Sequence, residues 1–478
     1  MNTHRGVVFP TESTSSTGRQ ALTDAMAKVD PAGSRSASQE TNWRRNYVAH
    51  FRRAVELGID NRSDAIQIAN NGLASLHGGF LYTDAKNEQM PLDRATTEAH
   101  YETVLTQAEI KGSKKPETEF SLPYHGERLK GLELEKQLNR WTAEGIITQG
   151  VAMAVREVVA NPEWLRLEGE TIAVLGAGSE MGPTRALQRW GATVAAIDLP
   201  RKNIQEEILK RANKGAGKTI IPVRNNDESD HGVDILHELG ELADWLRNLP
   251  GRVTLGNYTY ADGATHVRVA MAGDALANDL LAARPESGLA FLATPTDVFV
   301  VDETEVKMAN SHYQASLLAK TLRTPLRVMS GGRLLQRNYP PNANPGICDS
   351  MVTQQGPNYA LAKRIHRWRA TTARDQGALV SMNVAPATRT HSVVKNRALA
   401  AAYAGAHRFG VEVFDPSTSS VLMAALLVHD LKSNPKPQDV PWRDEAIRAV
   451  HGGLWTSAYS PASALGLAAV IGFSTVGA

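Results

Sequence analysis

The sequence predicts an α/β protein built on a doubly wound parallel sheet, flanked by N- and C-terminal helical regions. Three observations predict it. Five short apolar or β-branched runs, at 171–175, 193–197, 218–223, 252–255 and 289–293, alternate with helix-like stretches. The first run opens into three glycines, Gly176, Gly178 and Gly182. The second run stops at an acidic residue, Asp198.

The order within 167–201 is strand, glycine turn, helix, strand, acidic residue, and each part has a physical purpose. A tight turn out of a buried strand calls for a positive φ, which Gly176 adopts at little steric cost. Gly178, with no Cβ, lets the backbone approach a pyrophosphate, and the helix that follows points free N–H groups at the anion. Ser179, Glu180 and Met181 complete the turn, and Asp198 is placed to accept hydrogen bonds from a ribose. Arg201 and Lys202 lie where a 2′-phosphate would sit, so NAD and NADP both remain open as cofactors.

Leu167-Glu-Gly169, Gly176-Ala-Gly178 and the strand ending at Asp198 resemble the nucleotide-binding start of NAD(P)-dependent Rossmann dehydrogenases. The resemblance implies a Rossmann-like domain over 165–330. The glycines run G-x-G-x-x-x-G with Pro183 after the third, which departs from G-x-G-x-x-G. Class I methyltransferases place a glycine turn and an acidic residue at similar spacing. S-adenosylmethionine is therefore the alternative cofactor, and a non-catalytic nucleotide-binding scaffold the third reading.

At 478 residues the chain exceeds one ordinary core. The expected division is a disordered tail at 1–40, a helical region at 41–164, the nucleotide domain at 165–330 and a mostly helical region at 331–478. A net charge of +2 argues against a dedicated nucleic-acid binder. Cys348 is the single cysteine, which excludes an intrachain disulfide and a cysteine-rich zinc site. No His and carboxylate cluster has metal-ligand spacing. No apolar run of eighteen residues and no signal-like N-terminus is present, so a cytoplasmic protein without a membrane span is expected.

In chain order, residues 1–40 are rich in Ser, Thr, Gly and Ala without a hydrophobic period. Helical spacing begins at Trp43 and continues through Leu76 to His77-Gly-Gly79. Two further helices are expected over 129–160. His77, Tyr124 and His125 are candidates for a cleft lining. Beyond Pro325 the pattern is irregular as far as Pro345. The basic run Lys363-Arg-Ile-His-Arg-Trp-Arg369 reads as the solvated face of a helix. Alanine-rich C-terminal helices suit tight packing or a homo-oligomer interface.

Ligands of open parallel sheets bind beyond the carboxyl ends of the strands. Three such ends carry polar clusters: the glycine turn, Asn257–Asp262 after the fourth run, and Thr294–Asp297 after the fifth. Their convergence on one crevice points to an enzyme acting on a small molecule, with Asn257 beside the cofactor. The later elements resemble short-chain dehydrogenases and their epimerase-like branch. That family has a hydroxyl residue after strand five, then a tyrosine and a lysine four apart on a later helix. The resemblance implies Thr294 or Thr296 for the hydroxyl, and Tyr313 on a helix over 308–322 for the tyrosine. Lys320 follows Tyr313 by seven residues rather than four, roughly 10 Å along a helix. Tyr258 and Tyr260 therefore stand level with Tyr313 as candidates for the proton donor, and Asp297 is a further catalytic candidate at the end of the fifth run.

Overall fold

The computed structural model describes residues 5–476, except 12, 316 and 352–354. Its centre is a seven-stranded sheet of β1 (Leu105–Lys111), β2 (Glu170–Leu175), β3 (Thr193–Ile197), β4 (Lys218–Arg224), β5 (Arg252–Asn257), β6 (Gly288–Ala293) and β7 (Leu379–Val384). The spatial order is β7-β6-β5-β2-β3-β4-β1. Every neighbouring pair is parallel except β1 with β4. The chain winds from β2 outward to β4, then returns to the other side for β5, β6 and β7. This makes a mostly parallel α/β sheet compatible with a Rossmann-like arrangement, with its switch point between β2 and β5.

The helices that position the site are α1 (Thr14–Met26), α2 (Arg62–Gly79), α3 (Gln149–Ala160), α4 (Thr184–Trp190), α5 (Lys202–Lys214), α6 (Leu239–Arg247), α7 (Ala264–Ala283), α8 (Gly356–Asp375), α9 (Arg397–Gly405), α10 (Pro416–Ser433) and α11 (Pro461–Val476). Side chains of a strand alternate between the faces of its sheet. Ala173 and Leu175 of β2 accordingly enter one core with α6, α7 and α8, while Ile172 and Val174 enter the other with α3, α4 and α10. Burial on both faces is what makes these strands continuous apolar runs.

Three expectations need correction. Residues 5–40 are not a disordered tail. Gly6–Val8 pairs with Leu81–Thr83, and α1 buries Ala21, Leu22, Ala25 and Met26. The helix starts were legible, because Ser13 caps α1 and Asp30 caps the Pro31–Ser38 helix. The two flanking regions are not purely helical either, since β1 and β7 come from them. The alanine-rich stretch shows the tight packing expected of it: a Cβ on Gly405 would strike the Ala468 carbonyl, and one on Gly472 the Ala401 carbonyl, so α9 and α11 pack backbone to backbone.

The third correction concerns the basic run of α8. Lys363, Arg364, His366, Arg367 and Arg369 are all buried rather than solvated. Arg367 donates to Glu445 and Asp297, and Arg369 to Asp274, which also meets His77 at 2.6 Å. Carboxylates thus offset the desolvation of Arg364, Arg367 and Arg369. The run read as a surface because its carboxylate partners are distant in sequence. Among the described residues, no helix is long and apolar enough to cross a membrane.

Candidate active site

The carboxyl ends of β2, β5 and β6 lie in register along one edge, Leu175 beside Asn257 and Asn257 beside Phe291. Gly176 leaves β2 with φ 80°, and a Cβ there would come within 3.0 Å of the Tyr258 carbonyl. The glycine turn therefore crosses the switch point where only backbone fits. Its N–H groups at 176 and 177 donate to the Ile197 carbonyl, and Gly178 N–H donates to the Asp198 carboxylate at 2.8 Å. The other Asp198 oxygen accepts from Leu199 N–H. Each oxygen keeps acceptor capacity beyond its backbone bond. Burial raises the Asp198 pKa, against which these N–H groups and Arg201 act.

Residues 176–183 are not helical, and α4 begins only at Thr184. The C-terminal region packs against this turn. Glu180 accepts from His391 N–H, and Ser420 donates to the Gly182 carbonyl. Ser179 N–H returns to the Gly176 carbonyl, and Met181 packs against the α3–α4–α10 core. Asn257 is buried, with Oδ1 accepting from Thr259 and Nδ2 unpartnered beside Gly273.

After β6 the structure brings together residues that the sequence reading had not joined. Tyr359, near the start of α8, donates its hydroxyl hydrogen to Thr294 Oγ1 at 2.8 Å. One turn later on the same helix is Lys363, 9% exposed. Its ammonium lies 5.9 Å from the Tyr359 ring centre and has no ion-pair partner among the described residues. Burial pulls the Lys363 pKa down to about 8, which the Asp297 carboxylate only partly offsets. Burial drives the Tyr359 pKa up, while its bond to Thr294 opposes that shift.

His266 of α7 meets the Tyr359 ring edge-on at 5.4 Å, and Tyr260 meets His266 at 5.1 Å. Burial, with Lys363 nearby, lowers the His266 pKa to about 3, so this imidazole is neutral. Its Nε2 is buried without a hydrogen-bond partner.

The other candidates fall as follows. Tyr260 reaches the rim of this cluster, exposed and donating to Asp262. Tyr258 points into the opposite core, where burial and the Asp430 charge raise its pKa. Asp297 is fully buried between Arg367 and the Val298 N–H, so it serves the ion network rather than proton donation. Thr296 accepts from Gln355. Tyr313 lies elsewhere, against Tyr459 and beneath Arg323, and the Lys320 side chain lies outside the described residues. Tyr124 donates to Glu412, and His77 binds Asp274, both structural contacts.

Tyr359 and Lys363 carried a signal that could have been found. They stand four apart, the spacing the family resemblance required. A 65-residue separation from Thr294 and the buried basic run hid them. No family model matches this chain, and no curated protein matches it.

Proposed function

We propose that the chain is an NAD(P)-dependent oxidoreductase of the short-chain-dehydrogenase type, interconverting a carbonyl and its alcohol. One observation carries this reading. Tyr359 and Lys363 share one face of α8, and the tyrosine hydroxyl rests on Thr294 at the end of β6, two strands from the glycine turn at the end of β2. The N–H groups of 176–179 and 182 bond within the chain rather than standing free for a pyrophosphate, so support for a dinucleotide comes from the turn's place at the switch point and from Asp198. Gly178 presents bare backbone, its missing Cβ falling 3.1 Å from Asp198, and Asp198 retains acceptor capacity for ribose hydroxyls. Arg201 is exposed on the same rim and suits a 2′-phosphate.

A bound nicotinamide supplies or accepts the hydride. In the reducing direction Tyr359 gives its proton to the substrate oxygen, completing the alcohol as the C–H bond forms. Thr294 holds the phenol in place and donates to the oxygen left behind. The Lys363 ammonium stabilises the resulting phenolate, because its charge is not neutralised by a carboxylate contact. The neutral His266 packs the tyrosine ring without competing for that charge. S-adenosylmethionine is the competing ligand in the test.

Calorimetric titration with NADH, NADPH and S-adenosylmethionine checks the cofactor, with Gly178→Ala as the variant whose added methyl blocks the cradle. Nicotinamide binding lost in that variant is the expected result. Tight S-adenosylmethionine binding without nicotinamide binding would sink the reading.

A further inference from the structure

Beyond the Thr294–Asp297 turn lies a small apolar cavity of about 70 Å3, room for roughly five waters or a short aliphatic chain. Its walls are Ala402 and Ala406 from α9 with Ala464 and Ala468 from α11, closed by Phe409 and Leu465. Gly405 and Gly472 lock these two helices backbone to backbone, so they cannot approach further and fill the space. An empty apolar space forfeits dispersion contacts on its lining atoms. Alanine at four facing positions maintains a lumen that larger aliphatic side chains would close.

The polar side chains around the cavity are already engaged. Ser350 donates to the Pro295 carbonyl, Ser457 to the Phe409 carbonyl, and Thr296 accepts from Gln355. A hydrophilic ligand would find few donors or acceptors there. The exception is Tyr403 of α9, which lines the cavity and lies within electrostatic reach of the Tyr359 hydroxyl. Thr296 of the lining stands two residues beyond Thr294, and Tyr403 of the lining acts on the Tyr359 hydroxyl, so the cavity adjoins the Thr294–Tyr359 pair.

We infer that this cavity receives the aliphatic tail of the substrate, whose carbonyl or hydroxyl end lies at Tyr359. The substrate class is an alkyl carbonyl compound or its alcohol. The placement of the reacting end rests on the oxidoreductase reading; the tail site rests on the cavity alone.

The test compares aldehydes from butanal to decanal with the active nicotinamide, and measures 1-decanol binding by calorimetry without cofactor. Each added methylene is expected to raise kcat/KM roughly fourfold while the cavity fills, the factor equivalent to about 0.8 kcal/mol per buried CH2. Ala406→Phe and Ala464→Leu, checked for unchanged thermal unfolding, should flatten that series and weaken decanol binding. Butanal turnover and cofactor binding should persist.

Two results separate the claims. Nicotinamide turnover with no chain-length dependence overturns the tail site and leaves the oxidoreductase reading standing. Decanol binding that the two cavity variants abolish, in a chain that binds no nicotinamide, supports the tail site and overturns the oxidoreductase reading. Absence of decanol binding in the native chain overturns the tail site whatever the turnover.

Discussion

Two buried cations one turn apart on α8 differ in a way that separates structure from chemistry. Arg367 is 4% exposed and is met on both sides, by Glu445 at 2.6 Å and Asp297 at 2.8 Å. Lys363 is nearly as buried but touches no carboxylate among the described residues. Desolvation penalises both charges. For Arg367 the two carboxylates more than offset it and hold the guanidinium ionised. For Lys363 nothing comparable does, and its pKa falls to about 8. An arginine fork that satisfies two carboxylates fixes the helix. A lysine left unpaired beside a tyrosine keeps its charge available to whatever develops on that oxygen.

The largest effect expected from breaking this comparison is on stability. Arg367→Ala leaves Glu445 and Asp297 buried without their cation, a change that costs about 3–5 kcal/mol in comparable buried pairs. Lys363→Met breaks no ion pair and should leave stability equal or higher. Chemical denaturation of both variants measures the difference, and equal losses would refute the division of roles.

Turnover should order the residues the other way. Tyr359→Phe is expected to lower kcat at least about a hundredfold, the scale of acid–base assistance, while cofactor affinity holds. Tyr313→Phe, in its separate cluster with Tyr459, should be silent. A loss confined to Tyr313→Phe would return the proton donor to that helix.

The comparison sharpens further with pH. The folded pKa of Lys363 lies below its unfolded value of 10.5. Between about 8 and 10.5 the unfolded chain therefore binds the extra proton, and stability rises with pH across that window. Lys363→Met should abolish that rise in denaturant midpoints. Over the same interval the lysine loses its charge, so turnover in the native chain should fall as pH climbs through about 8. A flat rate profile there would remove the ammonium from the proposed chemistry.

The smallest effect concerns the cofactor rim. Asp198→Asn retains an acceptor for the Gly178 N–H but removes the negative charge, and should shift the NAD to NADP preference toward NADP by about tenfold, one charge-assisted hydrogen bond. An unchanged ratio of binding constants would place the ribose away from Asp198.

The parts of this molecule legible in sequence are those whose determinants are local. The apolar strands from β2 to β6, Gly176 with its positive φ, Asp198 at the end of β3, and the limits of α7 all follow from neighbouring residues. Thr294 was also identifiable, as the hydroxyl after β6. The remainder depended on partners far along the chain. Lys363-Arg-Ile-His-Arg-Trp-Arg369 looks solvated until Asp274, Asp297 and Glu445 surround it. Asp297 looks like an acid at a strand end until Arg367 takes it. Serine and alanine in α1 give a weak hydrophobic period, yet Leu22 and Met26 are fully buried because α2 and α8 cover them. Tyr313 follows β6 sooner than Tyr359 does, although of the two only Tyr359 has lysine at the fourth position.

Val298 pairs with Asp349 and Val301 with Gly346, so the long excursion between β6 and α8 is clasped at its own base. The clasp changes the entropy of assembling the Thr294–Tyr359 contact. Without it the chain must close a loop of 65 residues. With it, the path runs from Thr294 to the ladder, across one rung and on to Tyr359, about a quarter of that length. Two halvings of loop length are worth about 1.2 kcal/mol of closure entropy. Folding is therefore expected to close the ladder before the tyrosine reaches its threonine, and a variant that weakens Val298–Val301 should slow the joining of the two halves of the crevice even where their native contacts are untouched.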